Sequence, residues 1–343
     1  MELVRTTVFT SLVAMIIGGC SPNNSSNGHS TQPLSQEKTA EYLPSDSITE
    51  LEDGLNFYVL GDWGRQGYYH QKELAEMMQK VGAQVEAEFI ISTGDNFYDN
   101  GVASVDDPQW TYSFEEVYMG NHLQVPWYVV LGNHDYRGNV QAEIDYSSIS
   151  RRWTMPSRYW FTDMEMEDDS DPSRFFFLDT SPFEDEYYTE KKYYQVAEQD
   201  STAQLNWFKE SLANTPDNVW KICVGHHPLY TGGKRRDDKN YVRGHLEPSM
   251  DESKVDVYFC GHEHDIQHIK KDGHPTHHFV SGAGAEVRPT GEIEGTQFAR
   301  SETAFLVVSM TADQMLVQAV NYKGELMYST LIDRKVDRKA ERQ

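Results

Sequence analysis

Five short segments of the sequence place a side chain that can bind a metal ion directly after a glycine. They are Gly61-Asp62, Gly94-Asp95, Gly132-Asn133, Gly225-His226 and Gly261-His262. Carboxylate and amide oxygens bind hard cations, whereas imidazole nitrogens suit zinc, iron and other transition metals. His262 and His264 are two residues apart, so on an extended segment both side chains face the same way. The pattern indicates a metal site, at which bound water would be acidified towards neutrality.

The same segments follow predicted β-strands, which would position them. Short runs of β-branched and aromatic residues, bounded by Gly, Pro, Asn or Asp, predict strands at Asn56–Leu60, Phe89–Thr93, Trp127–Leu131, Phe175–Leu178, Lys221–Val224, Val255–Cys260 and His278–Ser281. Apolar residues at spacings of three and four predict a helix over Ser201–Ala213. The chain after Thr303 indicates a strand meander. We predict an α/β fold of two mixed β-sheets packed as a sandwich and flanked by helices, with the metal site at the carboxyl ends of strands.

Taken together, the five blocks resemble those of a known superfamily. They read GDWG at 61–64, GDNFY at 94–98, GNHD at 132–135, GHHP at 225–228 and GHEH at 261–264, in the order found in metallophosphoesterases. The Tyr of GDNFY is typical of the purple acid phosphatases. The segments VPWYVVLGNHDYRGNV and FVSGAGAE are similar to the small, tartrate-resistant members of animal type. Five ordered blocks within residues 55–333 are far more specific than any single motif.

This resemblance implies a dinuclear metal centre. Asp62, Tyr98 and His264 would bind one ion, Asp95 would bridge both ions, and Asn133, His226 and His262 would complete the second site. Carboxylate and phenolate oxygens suit iron(III), whereas the amide oxygen and two imidazoles suit iron(II), zinc or manganese. Three anionic side chains, the two ions and a bridging hydroxide sum to a charge of about +1, which suits a phosphate anion.

The resemblance further implies an acid phosphatase, in which a hydroxide bound to the two metals attacks the phosphorus of a phosphomonoester in line. His134 would contact the phosphate or protonate the leaving group. The family places a second histidine in the loop after GHHP, but here that loop reads LYTGGKRRDD. Lys234 and Arg235 stand there instead, and such cations can clamp a phosphate without titrating in acid. His227 and His245 are alternative substitutes for the missing histidine.

Two other functions stay open on the sequence alone. One is a phosphodiesterase or nucleotidase that uses the same dinuclear site. The other is a surface lipoprotein that binds phosphate or a partner without turnover, although the presence of every proposed ligand counts against it. The segment PFEDEYYTEKKYYQVAEQD at 182–200 is either a solvated excursion or a lid over the site.

Composition restricts the partners of the protein. The chain has 343 residues with 30 Lys+Arg and 54 Asp+Glu, and its formal net charge is −24. A field of this sign repels polyanions, so we expect no nucleic acid partner. The resemblance implies small phosphomonoester substrates, and we expect a monomer. Three cysteines exclude a disulfide-stapled scaffold, and we expect Cys223 and Cys260 to be buried free thiols.

The N-terminus predicts export. Val8–Ile17 has the length of a signal-peptide apolar region and is too short to span a bilayer. The segment ending in Cys20 resembles the bacterial lipobox, so residues 1–20 are interpreted as a lipoprotein signal with Cys20 as the lipidated residue. Residues 21–53, rich in Ser, Asn and Pro, predict a flexible tether. We therefore expect a catalytic domain over 54–335 and a charged tail over 336–343. The membrane would be bacterial, and the protein periplasmic or at the cell surface.

Overall fold

Fourteen strands in two seven-stranded sheets make up the β-structure of the part of the chain that the structure describes, a computed structural model covering residues 42–167 and 170–334. The strands are β1 Leu55–Leu60, β2 Phe89–Ser92, β3 Trp127–Val129, β4 Trp153–Thr154, β5 Trp160–Met164, β6 Ser173–Phe177, β7 Lys221–Val224, β8 Val257–Cys260, β9 Ile266–Lys270, β10 His277–Ser281, β11 Thr296–Arg300, β12 Ala304–Met310, β13 Gln314–Asn321 and β14 Leu326–Asp333. One sheet has the order β14-β13-β12-β1-β2-β3-β4 and the other β11-β9-β10-β8-β7-β6-β5.

Helices cover the outer faces of the sheets. The α-helices are α1 Gln71–Val81, α2 Val140–Tyr146, α3 Ser201–Ala213 and α4 Tyr241–Glu252. Shorter helical segments lie at Trp110–Glu115, Asn121–Leu123, Asp135–Arg137, Ser181–Phe183, Asp185–Tyr188 and Lys191–Glu198. Asp200 and Asn240 cap α3 and α4, because each side chain accepts a hydrogen bond from a backbone N–H of the first turn.

Alternation along the strands divides the core into layers. In β1, Phe57 and Val59 pack into the apolar layer between the two sheets, whereas Tyr58 and Leu60 point to the helix-covered face of the first sheet. Phe176 in β6 and Val242 in α4 belong to the corresponding layer outside the second sheet. Because both faces are covered, all six residues of β1 are buried.

The predicted sandwich architecture is confirmed, and most of the predicted strand bounds lie within two residues of the observed ones. α3 has the predicted bounds. The sequence analysis missed β4, β5, β9 and β11. β4 has only two residues, β5 and β11 are only partly buried, and β9 has the polar Gln267 and His268 at its centre, so none of them shows a strong apolar run. Cys223 and Cys260 are buried and free, as predicted.

The tether was predicted to extend to residue 53, and this boundary is wrong. Ile48 is buried against the first sheet. The backbone N–H groups of Thr49 and Leu51 donate to Gln318 Oε1 at 3.1 Å and to Ser309 Oγ at 2.9 Å. Side chains on β12 and β13 therefore hold this segment, a signal that a Ser- and Pro-rich composition cannot show. The compact unit begins at Tyr42.

The predicted signal, Cys20 and the first part of the tether lie outside the described residues, as does the predicted tail over 336–343. Within residues 42–167 and 170–334, no helix has the length and apolar character needed to cross a membrane.

Candidate metal centre

The metal-capable residues converge because their strands end at one edge of the sandwich. β1, β2 and β3 run parallel in the first sheet, and β7 and β8 run parallel in the second. Three of the residues that follow these strands, Asp62, Asp95 and His262, adopt left-handed backbone conformations with φ of 58°, 50° and 70°. This conformation turns the chain sharply at the strand end and is uncommon for residues with a Cβ.

Two glycines allow the strand-end loops to approach one another. A Cβ on Gly132 would collide with the backbone and carboxylate of Asp95, and one on Gly261 would collide with the carboxylate of Asp62. Glycine is therefore required there for close approach between loops rather than for a positive φ.

One group of donor atoms surrounds the Tyr98 hydroxyl. Tyr98 Oη lies 2.9 Å from Asp62 Oδ1, 2.9 Å from Asp95 Oδ2 and 3.1 Å from His264 Nε2. His264 Nε2 is also 3.4 Å from Asp62 Oδ1. Ligand atoms bound at about 2.1 Å to one ion lie roughly 3 Å or slightly more from each other. These four side chains therefore have the spacing of one coordination shell.

A second group surrounds His226. Its Nε2 lies 3.5 Å from Asp95 Oδ2, 3.4 Å from Asn133 Oδ1 and 3.1 Å from His262 Nδ1. Asp95 Oδ2 therefore belongs to both groups, the position required of a bridging carboxylate. The structure thus brings together all seven predicted ligands, each of them buried.

The atoms of these side chains that face away from the centre are held by the protein. Backbone N–H groups of His134 and His262 donate to Asp95 Oδ1 at 2.6 Å and to Asp62 Oδ2 at 2.9 Å. His226 Nδ1 lies 2.9 Å from the carbonyl oxygen of Thr93, which accepts its proton and leaves Nε2 as the ligand atom. These contacts fix the orientation of the Asp62, Asp95 and His226 atoms that face the centre, without the need for a bound ion.

The buried carboxylates of the site favour positive charge and bound protons on the groups around them. Burial alone would lower the pKa of His226, but Asp95 and Asp62 raise it to about 9. Burial, followed by the same two carboxylates, raises the pKa of Tyr98 well above its ordinary value. Bound cations would replace these protons and stabilise the anionic side chains.

Burial and neighbouring Arg235 hold the pKa of His262 far below its usual value, so this imidazole is neutral, the form that binds metals. The donor set therefore fits two metal ions.

Asp135 fastens together two of the loops that carry predicted ligands. Its carboxylate accepts hydrogen bonds from the backbone N–H groups of Asn96, Phe97 and Gly132, at 2.7 to 3.2 Å. Asn96 Nδ2 also bonds to Asp135 and to the buried Glu143. The buried Asp135 side chain thus fixes the loop that carries Asp95 and Tyr98 relative to the loop that carries Asn133.

His134 lies at the rim of the donor groups. It is half-buried, and its ring centre is 4.3 Å from that of Tyr98. The carbonyl oxygen of Asp99 lies 2.7 Å from Nδ1 and accepts its proton, so Nε2 is the basic nitrogen of the neutral ring. Burial lowers the pKa of His134 below its ordinary value.

A cavity of about 280 Å³ opens beside His262. Arg235 lines it, and its Nη1 donates to Glu263 Oε1 at 3.0 Å and to the carbonyl of His262 at 3.1 Å. Of the other predicted candidates, His227 lines the cavity, whereas the exposed Lys234 and His245 do not.

The segment 182–200 covers part of this site rather than forming a solvated excursion. Tyr193 is buried, and its hydroxyl accepts a hydrogen bond from Asn133 Nδ2 at 3.0 Å, which directs Asn133 Oδ1 towards His226. Tyr187 lines the cavity, and its hydroxyl lies 2.9 Å from His227 Nε2. Sequence reasoning missed both tyrosines. The only available signal was the density of Tyr in this segment, which is not specific.

Comparisons with known proteins agree with this geometry. The family model for calcineurin-like phosphoesterases matches residues 55–265. Purple acid phosphatase 4 of Arabidopsis thaliana is 35% identical over 74% of this chain and 75% of its own. Tartrate-resistant acid phosphatase type 5 of Homo sapiens is 29% identical over 84% of this chain and 95% of its own. Among solved structures, the purple acid phosphatase PPD1 of yellow lupin has a TM-score of 0.60 at 15% identity, over 84% of this chain and 55% of its own.

The fold and its donor groups define a calcineurin-like metallophosphoesterase, an α/β sandwich with a metal site at its strand ends. Within this superfamily the chain belongs to the purple acid phosphatases, as its residue pattern predicted. It is therefore a phosphoester hydrolase, and its family implies a dinuclear metal centre.

Proposed function

We propose that the protein is an acid phosphatase that hydrolyses phosphomonoesters. The observation that carries the proposal is the position of Asp95 Oδ2, which is shared by two buried donor groups beside a cavity lined by Arg235. Two metal ions held there would supply an acidified water and would stabilise the attacking and leaving oxygens.

The side chains around the metals have separate tasks in this proposal. Arg235 is fixed by Glu263 and by the His262 carbonyl, so its remaining N–H groups can bind a phosphate oxygen without further ordering. His134, once its basic Nε2 at the rim is protonated, would bind phosphate or transfer that proton to the leaving oxygen. Lys234 is exposed and has no such position, so it is not part of the proposed site.

We propose iron(III) at the site of Tyr98 and iron(II), zinc or manganese at the site of His226, because hard oxygens dominate the first group and nitrogens the second. A phenolate bound to iron(III) absorbs visible light. We therefore expect Tyr98→Phe to abolish the visible band of the iron-loaded protein, and Tyr194→Phe, which changes an exposed tyrosine, to leave it intact. Persistence of the band in Tyr98→Phe would refute this assignment.

The competing phosphodiesterase is distinguished by substrate comparison. We expect the full-length, metal-loaded protein to release phosphate from an aryl phosphomonoester at an acidic or neutral pH, with a kcat/KM at least about tenfold above that for the corresponding diester. A ratio in favour of the diester would replace the proposed function by the diesterase. An equal loss of both activities in Asn133→Ala would show that they use the same centre.

A non-catalytic role is the other alternative. The solved structure described as "GAP50 the anchor in the inner membrane complex of Plasmodium" has a TM-score of 0.70 and 25% identity, over 83% of this chain and 90% of its own. The fold is thus compatible with anchoring, and the completeness of the donor groups favours catalysis. Failure of the metal-loaded protein to hydrolyse either ester would favour the binding role.

Export and lipid anchoring at Cys20 are a separate proposal, which rests on the apolar run Val8–Ile17 and the lipobox-like segment. In a bacterial host, radiolabelled palmitate should enter the full-length protein and should not enter Cys20→Ser. Equal labelling of both would exclude Cys20 as the lipidation site.

A further inference from the structure

Tyr187 lies in the wall of the cavity, but it is not one of the predicted metal ligands and has no role in the phosphate binding proposed for Arg235. It lies in the short helix Asp185–Tyr188, it is half-buried, and it lines the cavity together with His262 and Arg235. Its ring centre is 4.1 Å from that of Tyr193, which holds the amide ligand. The segment 182–200 therefore places the phenol of Tyr187 at the wall of the cavity beside His262.

The hydrogen bonds around Thr180 determine where the nearby protons lie. The hydroxyl oxygen of Thr180 accepts hydrogen bonds from the backbone N–H groups of His226 at 3.2 Å and His227 at 3.1 Å. A hydroxyl oxygen has two lone pairs and one proton, so both acceptor positions are used. The third contact, to His227 Nδ1 at 2.8 Å, must therefore be one in which Thr180 donates its proton.

This arrangement fixes the tautomer of His227. Because Nδ1 accepts a proton from Thr180, the neutral ring carries its own proton on Nε2. Nε2 lies 2.9 Å from the hydroxyl oxygen of Tyr187, so His227 donates to Tyr187.

The hydroxyl proton of Tyr187 is consequently left without an acceptor. Across the described ranges 42–167 and 170–334, the only hydrogen-bond partner of its oxygen is His227, which acts as the donor. We propose that Tyr187 is a substrate-binding residue whose hydroxyl donates a hydrogen bond to a phosphate or ester oxygen in the cavity. This inference rests on the proposed phosphatase function, and it identifies a donor in a site whose family-typical loop histidine is replaced.

A tyrosine donor and a histidine donor respond differently to pH. Burial, then Tyr193 and Glu184, raise the pKa of Tyr187 well above its ordinary value, so the group remains a donor in acid and at neutral pH. Together with Arg235, which also keeps its protons, it would bind phosphate with little dependence on pH.

The test replaces Tyr187 by Phe, which retains the ring against Tyr193 and removes only the hydroxyl. We expect the affinity of the full-length, metal-loaded protein for inorganic phosphate, measured by calorimetry, to fall by about 10- to 100-fold, the usual range for one hydrogen bond to a charged group. The kcat/KM for an aryl phosphate should fall by a similar factor. Metal content and thermal unfolding should match the wild type. Tyr194→Phe, in the same segment but exposed, is the control and should change none of these.

A second pair of variants tests the proton arrangement without altering the cavity wall. Thr180→Val removes the hydroxyl that fixes His227 and that also accepts from the backbone N–H of His226, so the comparison is made at equal metal content. Phosphate binding should weaken several-fold in Thr180→Val and should be retained in Thr180→Ser, which keeps the hydroxyl. Unchanged phosphate affinity in Tyr187→Phe would overturn the inference, and so would equal losses in Thr180→Val and Thr180→Ser. If the wild type binds phosphate but hydrolyses no ester, the proposed function fails, and phosphate affinity still decides the role of Tyr187.

Discussion

Asp95→Ala is expected to lower phosphomonoester turnover by about 1,000-fold or more and to leave the protein with fewer than two metal ions per chain. The reason is that Asp95 Oδ2 lies within 2.9 Å of Tyr98 Oη and 3.5 Å of His226 Nε2, so one atom serves both donor groups. Removing it separates the two groups and leaves each of them with one ligand fewer. Metal analysis and phosphate release on the same preparation measure both effects.

Asp106→Asn is the matched control, because Asp106 is an exposed acidic residue that follows β2, as Asp95 does. It should retain the metal content and the activity of the wild type. If Asp95→Ala kept two metal ions, Asp95 would not be the bridging ligand. If it kept its activity, the shared carboxylate would be unnecessary for hydrolysis.

Asp135→Ala is expected to lower the free energy of unfolding by about 3 to 5 kcal/mol, the largest stability effect that we anticipate. The substitution leaves the buried backbone N–H groups of Asn96, Phe97 and Gly132 without their acceptor. Each orphaned donor costs about 1 to 3 kcal/mol. Denaturant unfolding of the metal-free protein is the appropriate measurement, because it removes the contribution of metal binding.

Two further variants make this result interpretable. Asp135→Asn keeps one carbonyl acceptor and should lose less stability than Asp135→Ala. Asp145→Ala, on the exposed side of α2, should change the free energy of unfolding by less than about 1 kcal/mol. Equal midpoints for Asp135→Ala and Asp145→Ala would show that Asp135 does not fasten the loops.

The strands and the ligand blocks were predictable because their signals are local. β1 and β7 are continuous apolar runs, and each is followed at once by a glycine and a polar ligand. The conformation of the strand ends was less predictable. Sharp turning is carried by the left-handed Asp62, Asp95 and His262 themselves, together with Gly94.

Other features depend on contacts between distant residues and therefore have no local signature. Residues 42–53 resemble a tether in composition, yet Gln318 and Ser309 hold them through hydrogen bonds to Thr49 and Leu51, more than 250 residues away in sequence. The role proposed for Tyr187 likewise depends on which nitrogen of His227 carries the proton, and this follows only from the contacts of His227 with Thr180 and Tyr187.

The most direct test of the account is phosphate release from an aryl phosphomonoester by the full-length protein, measured before and after complete removal of its metal ions. We predict that the metal-free protein loses its activity while remaining folded, and that activity returns as metal content rises to two ions per chain. Turnover that persists in the metal-free protein would contradict the central claim, and so would a fully loaded protein that releases no phosphate.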